Sequence, residues 1–104
     1  MRAVYPESVT IRTTRQADRD LIELYVSGSA TFGRDQAERY YGGPKALFAL
    51  LAENPLMARL RDDFVPPVRL YPYRAHVVAY VEQADGILIV RVLHGRQDWA
   101  RHLT

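Results

Sequence analysis

Cysteine is absent from this 104-residue chain. Disulfides, thiolate nucleophiles and cysteine-based zinc sites are excluded together, and a reducing, cytoplasmic setting becomes the expectation. Lysine is nearly missing as well: Lys45 stands alone among 14 basic residues, and the others are arginine. No apolar run approaches the roughly 18–20 residues of a membrane-spanning helix. The opening residues Met1-Arg2-Ala3-Val4-Tyr5-Pro6 lack the apolar stretch of a signal peptide, so neither export nor membrane embedding is expected. Gly42-Gly43-Pro44 lacks the Lys and Ser/Thr of a phosphate-binding loop. The three histidines, His76, His94 and His102, follow no recognised ligand spacing and no carboxylate motif accompanies them. Neither a metal nor a cofactor is expected.

What is present describes one folded unit. Hydrophobic residues at 48% and charged residues at 25% argue against disorder, and the length leaves no room for a second core. A single domain over 1–104 is expected, with residues 1–8 as an extended N-terminal arm. The net charge of +2 is mild, and acidic residues interrupt the basic ones through the first two thirds of the chain. A nucleic-acid footprint needs clustering, so charge alone names no partner. Arginine suits phosphates and carboxylates, but arginine-codon choice in a GC-rich genome is the preferred explanation of the bias.

The pattern along the chain changes period near the middle. Val9–Thr13 alternates and is β-branched, which reads as a short strand. Thr13 or Thr14 then caps a helix whose apolar face carries Leu21, Leu24, Tyr25, Gly28 and Phe32, ending near Gly33. Asp18, Asp20 and Glu23 decorate its other side and its positive end. A second helix places Ala37, Tyr40, Tyr41, Leu47, Phe48 and Leu51 on one stripe and stops at Glu53-Asn54-Pro55. Pro44 falls inside that stripe, where it costs roughly 3 kcal/mol, so a kink or break is expected and the helix should be two pieces. After a loop around 59–67 come three strand candidates, Val68–Tyr73, Ala75–Gln83 and Ile87–Leu93, the last two joined by the turn Ala84-Asp85-Gly86. The expected fold is α+β in the order β-α-α-β-β-β, a helical hairpin packed on one face of a small antiparallel sheet, with a short C-terminal helix over Trp99–Leu103. Alternation assigns Arg91 to the sheet's other face. Arg69 and Tyr71 on one strand and His76, Val78 and Tyr80 on the next suggest that this face is basic and aromatic.

The segments, in this order and spacing, resemble the ParE branch of the RelE/ParE superfamily of bacterial toxin–antitoxin modules, from about Val9 to Leu103. The likeness is carried by Ala17-Asp18-Arg19-Asp20-Leu21, by Phe32-Gly33 with Gln36-Ala37 and Tyr40, and by Leu51-Ala52-Glu53-Asn54-Pro55. It continues through the Arg69 strand, His76-Val77-Val78-Ala79-Tyr80 and Arg91-Val92-Leu93-His94-Gly95-Arg96-Gln97-Asp98. Pro44 departs from it, since the family's helix usually carries an aliphatic residue such as Leu there. The resemblance implies a non-enzymatic toxin that poisons DNA gyrase by protein contact and blocks replication. It also implies a ParD-like antitoxin that wraps the toxin in a hetero-oligomer. No membrane partner and no sequence-specific nucleic-acid binding are expected.

The superfamily's enzymatic branch, RelE, is a ribosome-dependent mRNA endonuclease and supplies the alternative; a non-toxic antitoxin-binding module is the third reading. RNA cleavage needs a group to activate the 2′-OH, a cation for the phosphate and an acid for the leaving oxygen. Arg69, Arg91 and Arg96 are candidates to hold phosphate, and His76 or His94 to move protons. Against this, the face has no lysine and the chain has no tyrosine after Tyr80. No residue is therefore assigned a catalytic role. The expected partner-binding set is Arg69, Tyr71, His76, Arg91, His94, Arg96, Asp98 and Trp99. Each has a plainer reading: His94 bonds the adjoining loop, Asp98 pairs with an arginine or caps the terminal helix, and Trp99 packs back on the sheet.

Overall fold

A computed structural model describes residues 10–32, 34–95 and 99–103, with backbone alone at 27–32, 34–42, 44, 100 and 102. The expected arm over 1–8, Arg96 and Asp98 lie outside the described residues. The elements run β1 (Thr10–Thr13), α1 (Arg15–Phe32), α2 (Arg34–Glu53), β2 (Leu60–Arg61), β3 (Val68–Tyr73), β4 (His76–Gln83), β5 (Gly86–His94) and α3 (Trp99–Leu103).

Thr14 is the cap of α1. Its hydroxyl accepts from the Ala17 amide at 3.0 Å, and its carbonyl accepts the first helical bond from Asp18 at 3.0 Å. The hydroxyl also donates to the Val90 carbonyl at 2.6 Å, tying the start of α1 to β5. α2 stops where Asn54 and Pro55 follow, as expected. The expected break at Pro44 does not occur, because α2 is a single element from Arg34 to Glu53. Burying Leu47, Phe48, Leu51 and Ala52 on the sheet, at about 1.5–3 kcal/mol for each large side chain, outweighs the roughly 3 kcal/mol cost of an interior proline.

The five strands lie in the order β1-β5-β4-β3-β2. The α+β class and the helical hairpin on one sheet face are as expected, but the sheet is mixed rather than wholly antiparallel. β1 runs parallel to β5, with Thr10 opposite Gly86 and Thr13 opposite Ile89. Gly86 does more than turn the chain: a β-carbon there would overlap the Thr10 carbonyl, so glycine is what admits β1 to this edge. β2 is a two-residue strand inside the expected loop, pairing Leu60 with Arg69 and Arg61 with Val68.

A bulge decides which residues share a face. Ala79 pairs with Arg91 and Tyr80 with Ile89, which leaves Val90 without an opposite number on β4. Alternation along β5 is therefore reset. Ile87 and Ile89 before the bulge and Val92 after it join Val78, Tyr80, Leu24, Leu47, Phe48 and Leu51 in the core under the helices. Leu93 falls on the opposite face with Val68, Val77, Ala79, Phe64 and Leu103. The expected basic and aromatic second face is thus corrected. Tyr71, Tyr73 and Tyr80 pack with the helix-side core, and the second face is apolar and capped by Phe64 and α3.

Candidate functional site

Chemistry-bearing side chains gather at one end of the sheet, where β4 begins and β5 ends. His76 and His94 are direct cross-strand partners. The Gly95 amide donates to the Ala75 carbonyl at 2.7 Å, so the two histidines form a pair flanked by backbone hydrogen bonds rather than joined by them. Side chains approach most closely at such pairs. The rings meet edge to face, with centroids 5.3 Å apart at 72°. Half-burial holds the His76 pKa below the ordinary histidine value, and the neighbouring His94 lowers it further, against an opposing pull from Asp20.

Asp20, from the second turn of α1, organises the adjoining edge. It accepts from Arg91 Nε at 2.8 Å and Nη2 at 3.0 Å, and from the Val92 amide at 2.9 Å. The side chains of Arg91 and Asp20 are 14% and 11% exposed, so this bidentate pair is largely out of water. Beside it, the β3–β4 turn places Arg74 at φ 55, a left-handed conformation unusual for a residue with a side chain, with its guanidinium carbon 5.5 Å from the Tyr73 ring centre. A β-carbon at Gly43 would overlap the Tyr73 hydroxyl, so glycine there leaves room for the tip of that side chain against α2. Trp99 closes the cluster, its indole N–H 3.4 Å from the His94 carbonyl and its ring against the second core.

Residues 11–99 match the family model described as "ParE toxin of type II toxin-antitoxin system, parDE". The chain belongs to the ParE toxin family. Among solved structures it resembles one titled "Chromosomal ParDE TA system from P. aeruginosa", with a TM-score of 0.71 at 19% identity, covering 84% of this chain and 96% of that one. At that identity the likeness concerns the fold. No curated protein sequence matches the chain.

Within this ParE-family fold the expected partner-binding residues divide. His76, Arg91, His94 and Trp99 come together at the end of the β4–β5 ladder. Arg69 and Tyr71 lie on β3, away from them. Tyr71 is half-buried against the helix-side core. Arg69 donates to the Ala58 carbonyl at 2.7 Å and to Glu82 at 2.8 Å, its side chain is 12% exposed, and its Nε is buried without a hydrogen bond. The Tyr80 hydroxyl donates to the Pro55 carbonyl at 2.8 Å, and burial pushes its pKa up. Together Arg69 and Tyr80 fasten the segment that leaves α2. Sequence reasoning missed Asp20, which looked like one of several acids favouring the N-terminal end of α1. Its signal lay only in being the acid one helical turn after the buried Ala17, and so near the sheet-facing side. Among the described residues no group of three or more His, Asp or Glu side chains is placed to hold a metal.

Proposed function

We propose that this ParE-family protein is the toxin of a type II toxin–antitoxin module, acting on DNA gyrase by protein contact and held inactive by a ParD-like antitoxin. The observation that carries this reading is the internal commitment of Arg69 and Arg91, two of the three arginines that are candidates to hold phosphate in RNA cleavage. Arg91 gives both edges of its fork to Asp20, and Arg69 divides its fork between Ala58 and Glu82. A phosphate clamp needs such forks aimed at the substrate. Removing either arginine from its partner would strand a buried charge before it bound anything. Function by contact, with binding energy in place of proton transfer, fits these side chains better.

Apolar exposure supports a partner-covered protein. Leu56, Met57, Leu60 and Val65 remain exposed along the segment after α2 and around β2, with Leu56 and Val65 open to 66% and 73%. The antitoxin that complements an arginine-rich toxin is acidic and partly disordered before binding. Action on gyrase places the protein in the cytoplasm, and no helix among the described residues is long and apolar enough to cross a membrane.

Purified chain, added to gyrase in supercoiling and DNA-cleavage assays beside a ribosome-dependent mRNA cleavage assay, tests the proposal. Inhibited supercoiling or trapped cleavage complexes are expected, with intact mRNA, and the antitoxin should relieve the effect. Cleaved mRNA with unaffected gyrase would overturn the reading in favour of the RelE-type activity. Antitoxin binding without either effect would reduce the protein to a non-toxic binding module.

A further inference from the structure

We propose that His76 and His94 form a two-imidazole site for a divalent transition-metal ion, Zn2+, Ni2+ or Cu2+, at the end of the β4–β5 ladder. The inference is independent of the gyrase reading.

Register comes first. The two histidines are 18 positions apart in the chain, yet antiparallel pairing sets them directly opposite each other. They occupy the class of pair in which side chains stand closest. The spacing of the rings then fits. Two imidazoles bound through one nitrogen each to a single tetrahedral ion, at metal–nitrogen distances of about 2.0–2.1 Å, have ring centres about 5 Å apart. The observed separation is 5.3 Å. The backbone beneath is fixed by the Gly95–Ala75 hydrogen bond on one side and the remaining ladder on the other, so closing on an ion asks for side-chain rotation and not for movement of the strands.

The surroundings favour a cation. The Asp20 carboxylate, which also pairs with Arg91, acts electrostatically on His76 in the sense that favours positive charge there. Imidazole selects zinc, nickel and copper over magnesium and calcium, which prefer oxygen. No third ligand joins the pair among the described residues, so water completes the coordination. Two-ligand affinity follows, with a Kd on the order of 1–100 µM rather than the far tighter binding of a four-ligand structural zinc site. An ion held this way cross-links β4 to β5 where the ladder ends.

Trp99 is the chain's only tryptophan, and its indole N–H points at the His94 carbonyl, so its emission reports on the site. The full chain is titrated with CuCl2 or NiCl2 by fluorescence and with ZnCl2 by calorimetry. Saturable one-to-one binding, reversed by EDTA and not reproduced by MgCl2, is the expected result. His94→Asn, at an exposed position, should weaken it at least tenfold, as should His76→Asn, whose folding is checked by far-ultraviolet circular dichroism. His102→Asn should leave it unchanged. Quenching that survives His94→Asn, that follows His102 instead, or that half-saturates only above about 1 mM would overturn the proposal.

Discussion

The two halves of β5 close the same sheet edge by different means. From Gly86 to Ile89 the strand is flanked by β1, whose parallel ladder supplies backbone donors and acceptors. Beyond the Val90 bulge β1 has ended, and a single side chain takes over: the Asp20 carboxylate accepts from the Val92 amide and grips Arg91. The first half is indifferent to most side-chain chemistry but has no room for a β-carbon at Gly86. The second half depends on one charge. At the end of the sheet that gathers His76, His94 and Trp99, β5 is therefore laddered to β4 on one side only, and its outer edge is held by electrostatics.

Gly86→Ala attacks the first half and should have the largest effect. The added methyl meets the backbone of Thr10 rather than a movable side chain, so a loss of about 3 kcal/mol or more is expected from the denaturant midpoint. An unchanged midpoint would mean that β1 contributes little to the fold. Asp20→Ala attacks the second half by leaving a largely buried guanidinium unpaired and the Val92 amide without its acceptor, at about 2–3 kcal/mol. Asp20→Asn keeps an acceptor but not the charge and should fall between. Equal losses for the two variants would show that the ion pair adds nothing beyond the amide contact.

The smallest effect concerns Arg12 and Asp85, an exposed pair on the β1 side, joined at 2.9 and 3.0 Å. The Arg12 guanidinium holds the Asp85 carboxyl down to about 2 from its ordinary 3.8. A depressed folded pKa lends stability that is present above the unfolded value and is lost as pH falls towards the folded one. Asp85→Asn should therefore flatten the decline in Tm between about pH 4 and pH 2 while leaving neutral-pH melting almost unmoved. An acid limb as steep as the unsubstituted protein's would assign that decline to other carboxylates.

The helices were legible because their causes are local. Thr14, the apolar spacing from Ala17 to Leu24, and Asn54-Pro55 all act within a turn or two. Pro44 misled because the cost of an interior proline is local while the burial that offsets it, at Leu47, Phe48 and Leu51, is tertiary. The faces of β5 misled for a different reason. Ile87, Leu88, Ile89, Val90, Val92 and Leu93 are all aliphatic, so the run carries no mark of the extra residue at Val90 that exchanges Val92 and Leu93 between the two cores. Parallel pairing of β1 with β5 is likewise a contact between distant segments, with only Gly86 hinting at it. Of the expected site, the association of His76, Arg91, His94 and Trp99 followed from strand order. The internal commitment of Arg69 and Arg91 did not, since it depends on Asp20, Ala58 and Glu82 being brought to them.

Thr14 carries a consequence for the order of assembly. Its hydroxyl both caps α1 and reaches the Val90 carbonyl, while the strand just before it has its only described sheet neighbour in β5. During synthesis the first strand emerges early and waits, unpaired, for a partner made some 76 positions later. α1 and α2 can form as a hairpin while the chain is still growing, but the layer they cover and the edge that anchors them cannot close until β5 is available. Such long-range closure slows folding, so a nascent chain that stops before β5 retains its helices without the sheet edge that fixes them.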